Sequence, residues 1–346
     1  MTKIAILFLV ILIGAGLMVY KTKSAAVILA PDVKSVSISP TNLSTSESLS
    51  ISEMRKKIYP GSEISIVNKL SFNASYDRYV TSYYSDGLKI FSLLTIPKGK
   101  APSGGWPVIL FNHGYIAPEV YRTGQRYVSY VDYFARNGYV VFMPDYRGNG
   151  LSEGNPEGAY YSPAYATDDL NALASIKKYK DVNPNKIGIW GHSMGGNITL
   201  RDLVVDTSGD IKAAVIWGGV VGSYNDLMYN WQHKVKFVPS PRELALRNNN
   251  RQRLVDKYGT PVTNPIFWNT LDPTYYLSDI NTPLQLHVGG SDEEVPVAFS
   301  ESLSEKMTSL GKNVEYYVYP GANHNISQGF SLAMKRSLDF FDKYLK

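Results

Sequence analysis

The 346-residue chain contains no cysteine. That absence excludes disulfides, a thiolate nucleophile, Cys-based zinc sites and a lipid-bearing N-terminal cysteine. Histidine is scarce as well, with five in all: His113, His192, His233, His287 and His324. None stands at H-E-x-x-H spacing from another, so no metal site is expected. There is no P-loop, no dinucleotide fingerprint and no internal repeat, and no cofactor is expected. Positive charge is not concentrated either. The net charge is +5, but Lys3, Lys21, Lys23 and Lys34 all lie in the first 34 residues, which leaves the rest close to balance. No Lys/Arg stripe interleaved with aromatics appears, so no nucleic-acid partner is expected.

What is present suffices for a large core. Hydrophobic residues make up 44% and aromatic residues 12%, and the length allows one large or two ordinary domains. Ile4 to Tyr20 is an unbroken run of apolar and small residues between Lys3 and Lys21. It reads as a signal peptide, with Ser24-Ala25-Ala26 as a cleavage site, or as a single membrane anchor if uncleaved. Residues 1–26 are therefore assigned to targeting, and the chain is expected to be exported, either anchored or secreted. Residues 27–75, rich in Ser and Thr from Val33 to Ser52, read as a linker and N-terminal arm. Residues 76–346 read as one further domain.

The stretch around which that domain is organised is Lys186 to Leu200, KIGIWGHSMGGNITL. Ile187, Ile189 and Trp190 make a short buried strand, Gly191-His192-Ser193-Met194-Gly195 a tight turn, and Ile198 and Leu200 the start of a helix. A nucleophilic serine must stand clear of the sheet on a strained turn. Side chains two residues before and after it would meet the crossing strand and helix, so both places need glycine. The helix N-terminus beneath favours a developing oxyanion.

Other strands and helices alternate around this one. Arg78–Tyr84 and Leu88–Ile96 read as a hairpin turned at Ser85-Asp86-Gly87. Val108–Phe111 and Tyr139–Met143 are strands, with a helix over Tyr127–Asn137 between them. Thr167 is placed as the cap of a helix through Tyr179, with Asp168 and Asp169 in its first turn. Asp145 and Arg147 are paired in the loop between. Ala213–Trp217, Leu284–Val288 and Val314–Tyr319 complete the strands, and an amphipathic helix from Phe330 to Leu345, with Leu332, Leu338, Phe341 and Leu345 apolar, closes the domain. This alternation means a mostly parallel central sheet flanked by helices. More than sixty residues separate the strands at 217 and 284, so a helical cap insertion is expected at about 219–282. Its aromatics, among them Tyr224, Trp231, Phe237, Phe267, Trp268, Tyr275 and Tyr276, mostly form its own core.

Two more residues complete a triad. An acid follows the strand at 284–288, with Asp292 the choice and Glu293 or Glu294 the fallback. His324 follows the last strand. The order Ser193, Asp292, His324 is that of α/β-hydrolases. The oxyanion donors are the backbone amides of Tyr115, just past the strand at 108–111, and Met194.

The segments NHGY at 112–115, PDYRGNG at 144–150, GHSMGG at 191–196, Gly-Gly-Ser-Asp at 289–292 and Pro-Gly-Ala-Asn-His at 320–324 together resemble the catalytic domain of the prolyl oligopeptidase family of serine peptidases. They also resemble dienelactone-hydrolase-like and acyl-esterase α/β-hydrolases. The resemblance covers roughly Tyr76 to Lys346 and implies an α/β-hydrolase fold, with Ser193 as nucleophile, Asp292 and His324 as its partners, and oxyanion donors at Tyr115 and Met194. Large members carry an N-terminal β-propeller; some seventy-five residues precede the hydrolase body here, too few for one. The expected function is acyl transfer on a short peptide, with a carboxylesterase as the alternative and a non-catalytic tethered binding protein as a third reading.

Overall fold

The computed structural model describes residues 49–70, 73–231 and 241–346. They build a nine-stranded sheet: β1 (Ser65–Lys69), β2 (Tyr76–Ser85), β3 (Leu88–Pro97), β4 (Trp106–Asn112), β5 (Val140–Pro144), β6 (Val182–His192), β7 (Ile211–Trp217), β8 (Leu284–Gly289) and β9 (Val314–Tyr319). The order across the sheet is β1-β2-β3-β5-β4-β6-β7-β8-β9. The first three pair antiparallel and β3 joins β5 antiparallel; from β5 onward every pairing is parallel. The β2–β3 hairpin turns on Asp86 (φ 50°) and Gly87 (φ 80°), both left-handed, between the paired residues Ser85 and Leu88. Two consecutive positive φ values match the strand twist, and Asp-Gly adopts them readily.

Along each central strand, successive side chains enter opposite cores, as the two-residue period of a strand requires. On β4, Val108 and Leu110 face one core while Ile109 and Phe111 face the other; on β7, Ala214 and Ile216 oppose Ala213, Val215 and Trp217. One face is covered by α1 (Ile51–Lys56), α3 (Ala164–Ile176), α4 (Met194–Val205) and α7 (Val297–Ser309), the other by α2 (Val128–Arg136) and α8 (Phe330–Leu345). This is the expected three-layer α/β arrangement. It leaves the C-terminal ends of β4, β6, β7, β8 and β9 side by side, where a doubly covered parallel sheet carries its site.

Several local expectations differ. Of the arm at 27–75, the described residues 49–70 contribute to the body: Ser50 caps α1, whose Ile51 and Met54 are buried against α4, and β1 extends the sheet at its edge. Six helical residues are too few for a periodicity to register, and β1 is exposed on both faces, so neither leaves an apolar pattern. Thr167 is not a cap. The third helix starts a turn earlier, behind Pro163, and Thr167, Asp168 and Asp169 lie buried inside it. Asp145 and Arg147 do not pair. The Arg147 guanidinium donates to both oxygens of Asp168, from Nη2 at 2.7 Å and Nε at 3.0 and 3.1 Å. Asp145, pushed up to about 7 by burial, accepts from the hydroxyls of Tyr121, at 3.0 Å, and Thr123. Leu332 on α8 is half-exposed, while Phe341 and Leu345 are buried.

Between β7 and β8 the described residues are helical: a π-turn at Asp226–Asn230, α5 (Pro241–Tyr258), α6 (Pro265–Leu271) and two short 3₁₀ turns. Tyr224, Leu254, Trp268 and Leu271 form a small core with Leu49, and Phe267 packs against it. Tyr275 points to solvent. His233 and Phe237 lie outside the described residues, as do the apolar run at 4–20 and its cleavage site. Among the described residues no helix is long and apolar enough to cross a membrane.

Candidate active site

Strand β6 ends at His192 and α4 begins at Met194, so Ser193 alone makes the turn, at φ 56° and ψ −119°. A non-glycine residue held there is strained, and such strain concentrates at functional sites. The surroundings enforce it. The Ser193 amide donates to Trp217 O at 3.0 Å, and its carbonyl accepts from Gly196 at 2.9 Å and Val220 at 3.0 Å. Both flanking glycines are sterically obligatory. A Cβ on Gly191 would lie 2.4 Å from Thr199 Oγ1, on the helix, and one on Gly195 would lie 2.0 Å from Asn112 O, on the neighbouring strand.

The loops after β8 and β9 are zipped together. Gly290 and Ser291 donate to Tyr319 O and Ala322 O, and a Cβ on Gly289 would meet Asn323 O at 2.2 Å. This close approach explains the Gly-Gly before the acid. It brings Asp292 Oδ2 to 2.8 Å from His324 Nδ1, while Asp292 Oδ1 accepts from the amides of Glu294 and Val295 at 2.8 and 2.9 Å. Both side chains are buried. Asp292, rather than Glu293 or Glu294, thus meets the imidazole. The His324 ring rests on Gly218, whose own Cβ would stand 3.1 Å from Nδ1 and Cε1; Gly218 follows Trp217, the residue that receives the Ser193 amide. Serine and histidine therefore flank one two-residue step at the end of β7. His324 Nε2 is buried and has no hydrogen-bond partner among the described residues.

Of the two expected oxyanion donors, Met194 opens α4 directly behind Ser193. Tyr115 lies just past Gly114, where a Cβ would be 3.1 Å from Ser193 Cβ, so this loop lies against the elbow. Tyr115 is not among the residues with positive φ, and its side chain fits that backbone without strain.

One important side chain left no signal in the sequence. Tyr127 sits in the left-handed conformation (φ 58°) ahead of α2, partly buried. Its hydroxyl accepts from the Gly114 amide at 2.8 Å and donates to His192 Nδ1 at 2.8 Å. Burial and the neighbouring His324 hold the His192 imidazole well below its ordinary pKa, so it stays neutral. Its Nε2–H then faces His324 O at 3.4 Å. One hydroxyl thus ties the loop after β4 to the elbow and, through His192, to the loop that bears His324. Tyr127→Phe deletes the hydroxyl and strands two buried polar groups. We expect kcat to fall about 10- to 100-fold with KM little changed, and stability to drop by roughly 1–3 kcal/mol. Steady-state kinetics beside thermal melts check this.

Beneath the elbow, Asn112 Nδ2 donates to Asp169 Oδ2 at 2.9 Å and to Thr199 Oγ1 at 3.2 Å, and Asn112 Oδ1 accepts from the Tyr146 hydroxyl at 3.2 Å. Asp202 on α4 is a neighbour of Asp169. Burial raises both carboxyls above their ordinary range. Asn112 thus joins the root of the β4 loop to α3 and α4.

A model of the prolyl oligopeptidase family matches residues 126–346, more than half of the chain. The chain belongs to the prolyl oligopeptidase family. It is a serine hydrolase of a peptidase lineage. The "uncharacterized peptidase YtmA" of Bacillus subtilis is 27% identical over 249 residues, covering 71% of this chain and 85% of that protein. The "uncharacterized peptidase YuxL" of the same organism is 24% identical over 255 residues, which span 70% of this chain but 34% of the relative. Among solved structures, Pyrococcus horikoshii acylaminoacyl peptidase superposes with a TM-score of 0.62 at 22% identity, covering 79% of this chain and 42% of that one. Acetyl xylan esterase from Paenibacillus sp. R4 superposes with a TM-score of 0.61 at 18% identity, covering 87% and 92%. Those two likenesses establish the α/β-hydrolase fold, which this family member shares with peptidases and esterases alike.

Proposed function

We propose that this family member hydrolyses short peptides through an acyl-enzyme on Ser193, with Asp292 and His324 completing the triad. The observation that carries the reading is the buried Asp292–His324 bond beside a strained serine elbow. His324 Nδ1–H is committed to Asp292, which leaves Nε2 as the acceptor for the Ser193 proton. The serine oxygen attacks the scissile carbonyl carbon, and the carbonyl electrons move to oxygen, where the amides of Tyr115 and Met194 receive the charge. Asp292 stabilises the imidazolium that forms. That cation protonates the leaving amine as the C–N bond breaks. Water, deprotonated by Nε2, then releases the acid and restores the serine. The YtmA and YuxL similarities support peptides as the substrate class.

The helical segment at about 219–282 serves in this reading as a cap. Trp231 Nε1 donates to Glu294 O at 2.9 Å, a direct tie to the loop that bears Asp292. The apolar run at 4–20 supports export, anchored or secreted. Hydrolysis of aminoacyl amides against matched acyl esters by the soluble fragment tests the substrate class. Turnover of amides supports a peptidase. Turnover of esters alone identifies a carboxylesterase, and turnover of neither leaves a binding protein.

A further inference from the structure

The loop that supplies Asp292 carries a second carboxylate to which the reaction above gives no task. Glu294 is held by its backbone at both ends: its amide donates to Asp292 Oδ1 at 2.8 Å and its carbonyl accepts from Trp231 Nε1 at 2.9 Å. Its side chain turns back over the catalytic histidine. Oε2 stands 3.9 Å from His324 Nε2, the reacting nitrogen, while Asp292 occupies the far side of the same ring. The carboxylate is half-exposed, and among the described residues no lysine or arginine pairs with it. A negative charge at this place favours the imidazolium, but, left without a neutralising cation, it opposes the second negative charge that develops on the substrate oxygen in the transition state. The opposition disappears if the substrate itself brings a positive charge.

We propose that Glu294 binds the free α-ammonium of the substrate, which makes this enzyme selective for peptides cleaved next to an unblocked amino terminus. The inference rests on the peptidase reading of the site and specifies its substrate. The distances suit it. In the reacting complex the carbonyl carbon must stand about 3 to 3.5 Å from the serine oxygen, with that oxygen brought within hydrogen-bond reach of Nε2. Backbone dimensions put the α-nitrogen of the same residue about 2.5 Å from that carbon. An ammonium there is within a charge-assisted hydrogen bond of a carboxylate poised at the Nε2 edge. An N-acylated substrate offers no charge, and a peptide reaching this place with its carboxylate end meets repulsion.

Two matched pairs test it: alanine p-nitroanilide against N-acetylalanine p-nitroanilide, and alanine ethyl ester against N-acetylalanine ethyl ester. The readout is the ratio of kcat/KM for free over acetylated substrate, in the wild type, Glu294→Gln and Glu294→Lys. The wild type is expected to favour the free amine. Glu294→Gln is expected to lower the ratio about tenfold or more, mainly through KM for the free amine, and Glu294→Lys to carry the preference to the acetylated partner. A ratio that ignores position 294 in both pairs overturns the proposal. The esters keep the two readings apart. Amides left uncut, with an ester ratio that follows Glu294, would defeat the peptidase reading and sustain the ammonium site; amides cut with a ratio indifferent to position 294 would do the reverse.

Discussion

Ser193→Ala is expected to lower kcat by about a millionfold, the scale seen when a triad serine is deleted, while leaving the fold in place. The size of the loss follows from the position of the hydroxyl. Ser193 is the single residue between β6 and α4, and its backbone is fixed by Trp217, Gly196 and Val220. Alanine keeps every one of those bonds, which are made by the main chain. It inherits the same φ of 56° and adds no atom. The melting temperature should therefore stay within a few degrees, and residual turnover should come only from the oxyanion donors and substrate binding. A kcat within tenfold of the wild type would place the nucleophile elsewhere.

Asp292→Asn is expected to cost about 10⁴-fold in kcat, a loss that arises through the histidine tautomer. Asp292 Oδ1 already accepts from two backbone amides, those of Glu294 and Val295. Asparagine must keep its carbonyl oxygen there, because an NH₂ group would face two donors. Its NH₂ is then turned toward His324 Nδ1, where the carboxylate had accepted at 2.8 Å. The imidazole responds by presenting a lone pair at Nδ1 and a proton at Nε2, the tautomer that cannot take a proton from Ser193. Because both groups are buried, no solvent relieves the mismatch. The expected signature is a large loss of kcat with KM and thermal stability nearly unchanged. Recovery by Asp292→Glu of more than Asn retains would fit a need for charge at Nδ1, and equal activity of Asn and Asp would refute this role.

The parts of this site that were legible in the sequence are those where chemistry and backbone geometry demand one residue type. Gly191 and Gly195 had to be glycine because strand and helix pass within van der Waals range of their absent Cβ atoms, and this requirement makes the elbow a sequence pattern. The order of the proposed triad follows from a sheet whose successive strands end at one rim. Other features were not legible because they depend on which distant side chains meet. Three adjacent acids at 292–294 look alike in sequence; only the zipped loops after β8 and β9 select Asp292 for the imidazole and leave Glu294 at its outer edge. Tyr127 is one of many tyrosines until the tertiary fold sets its hydroxyl between Gly114 and His192. Thr167 and Asp168 match a helix-start pattern, yet the helix extends a turn further back and Asp168 is committed to Arg147. In that case tertiary pairing overrode a local capping preference.

The central claim is that Ser193 is a nucleophile activated by His324. Treating the folded protein with a fluorophosphonate and mapping the adduct by mass spectrometry tests it most directly. One adduct per chain on the peptide bearing Ser193, lost in both Ser193→Ala and His324→Ala, is the predicted result. No adduct on the folded wild type, or an adduct on another residue that survives Ser193→Ala, would contradict it.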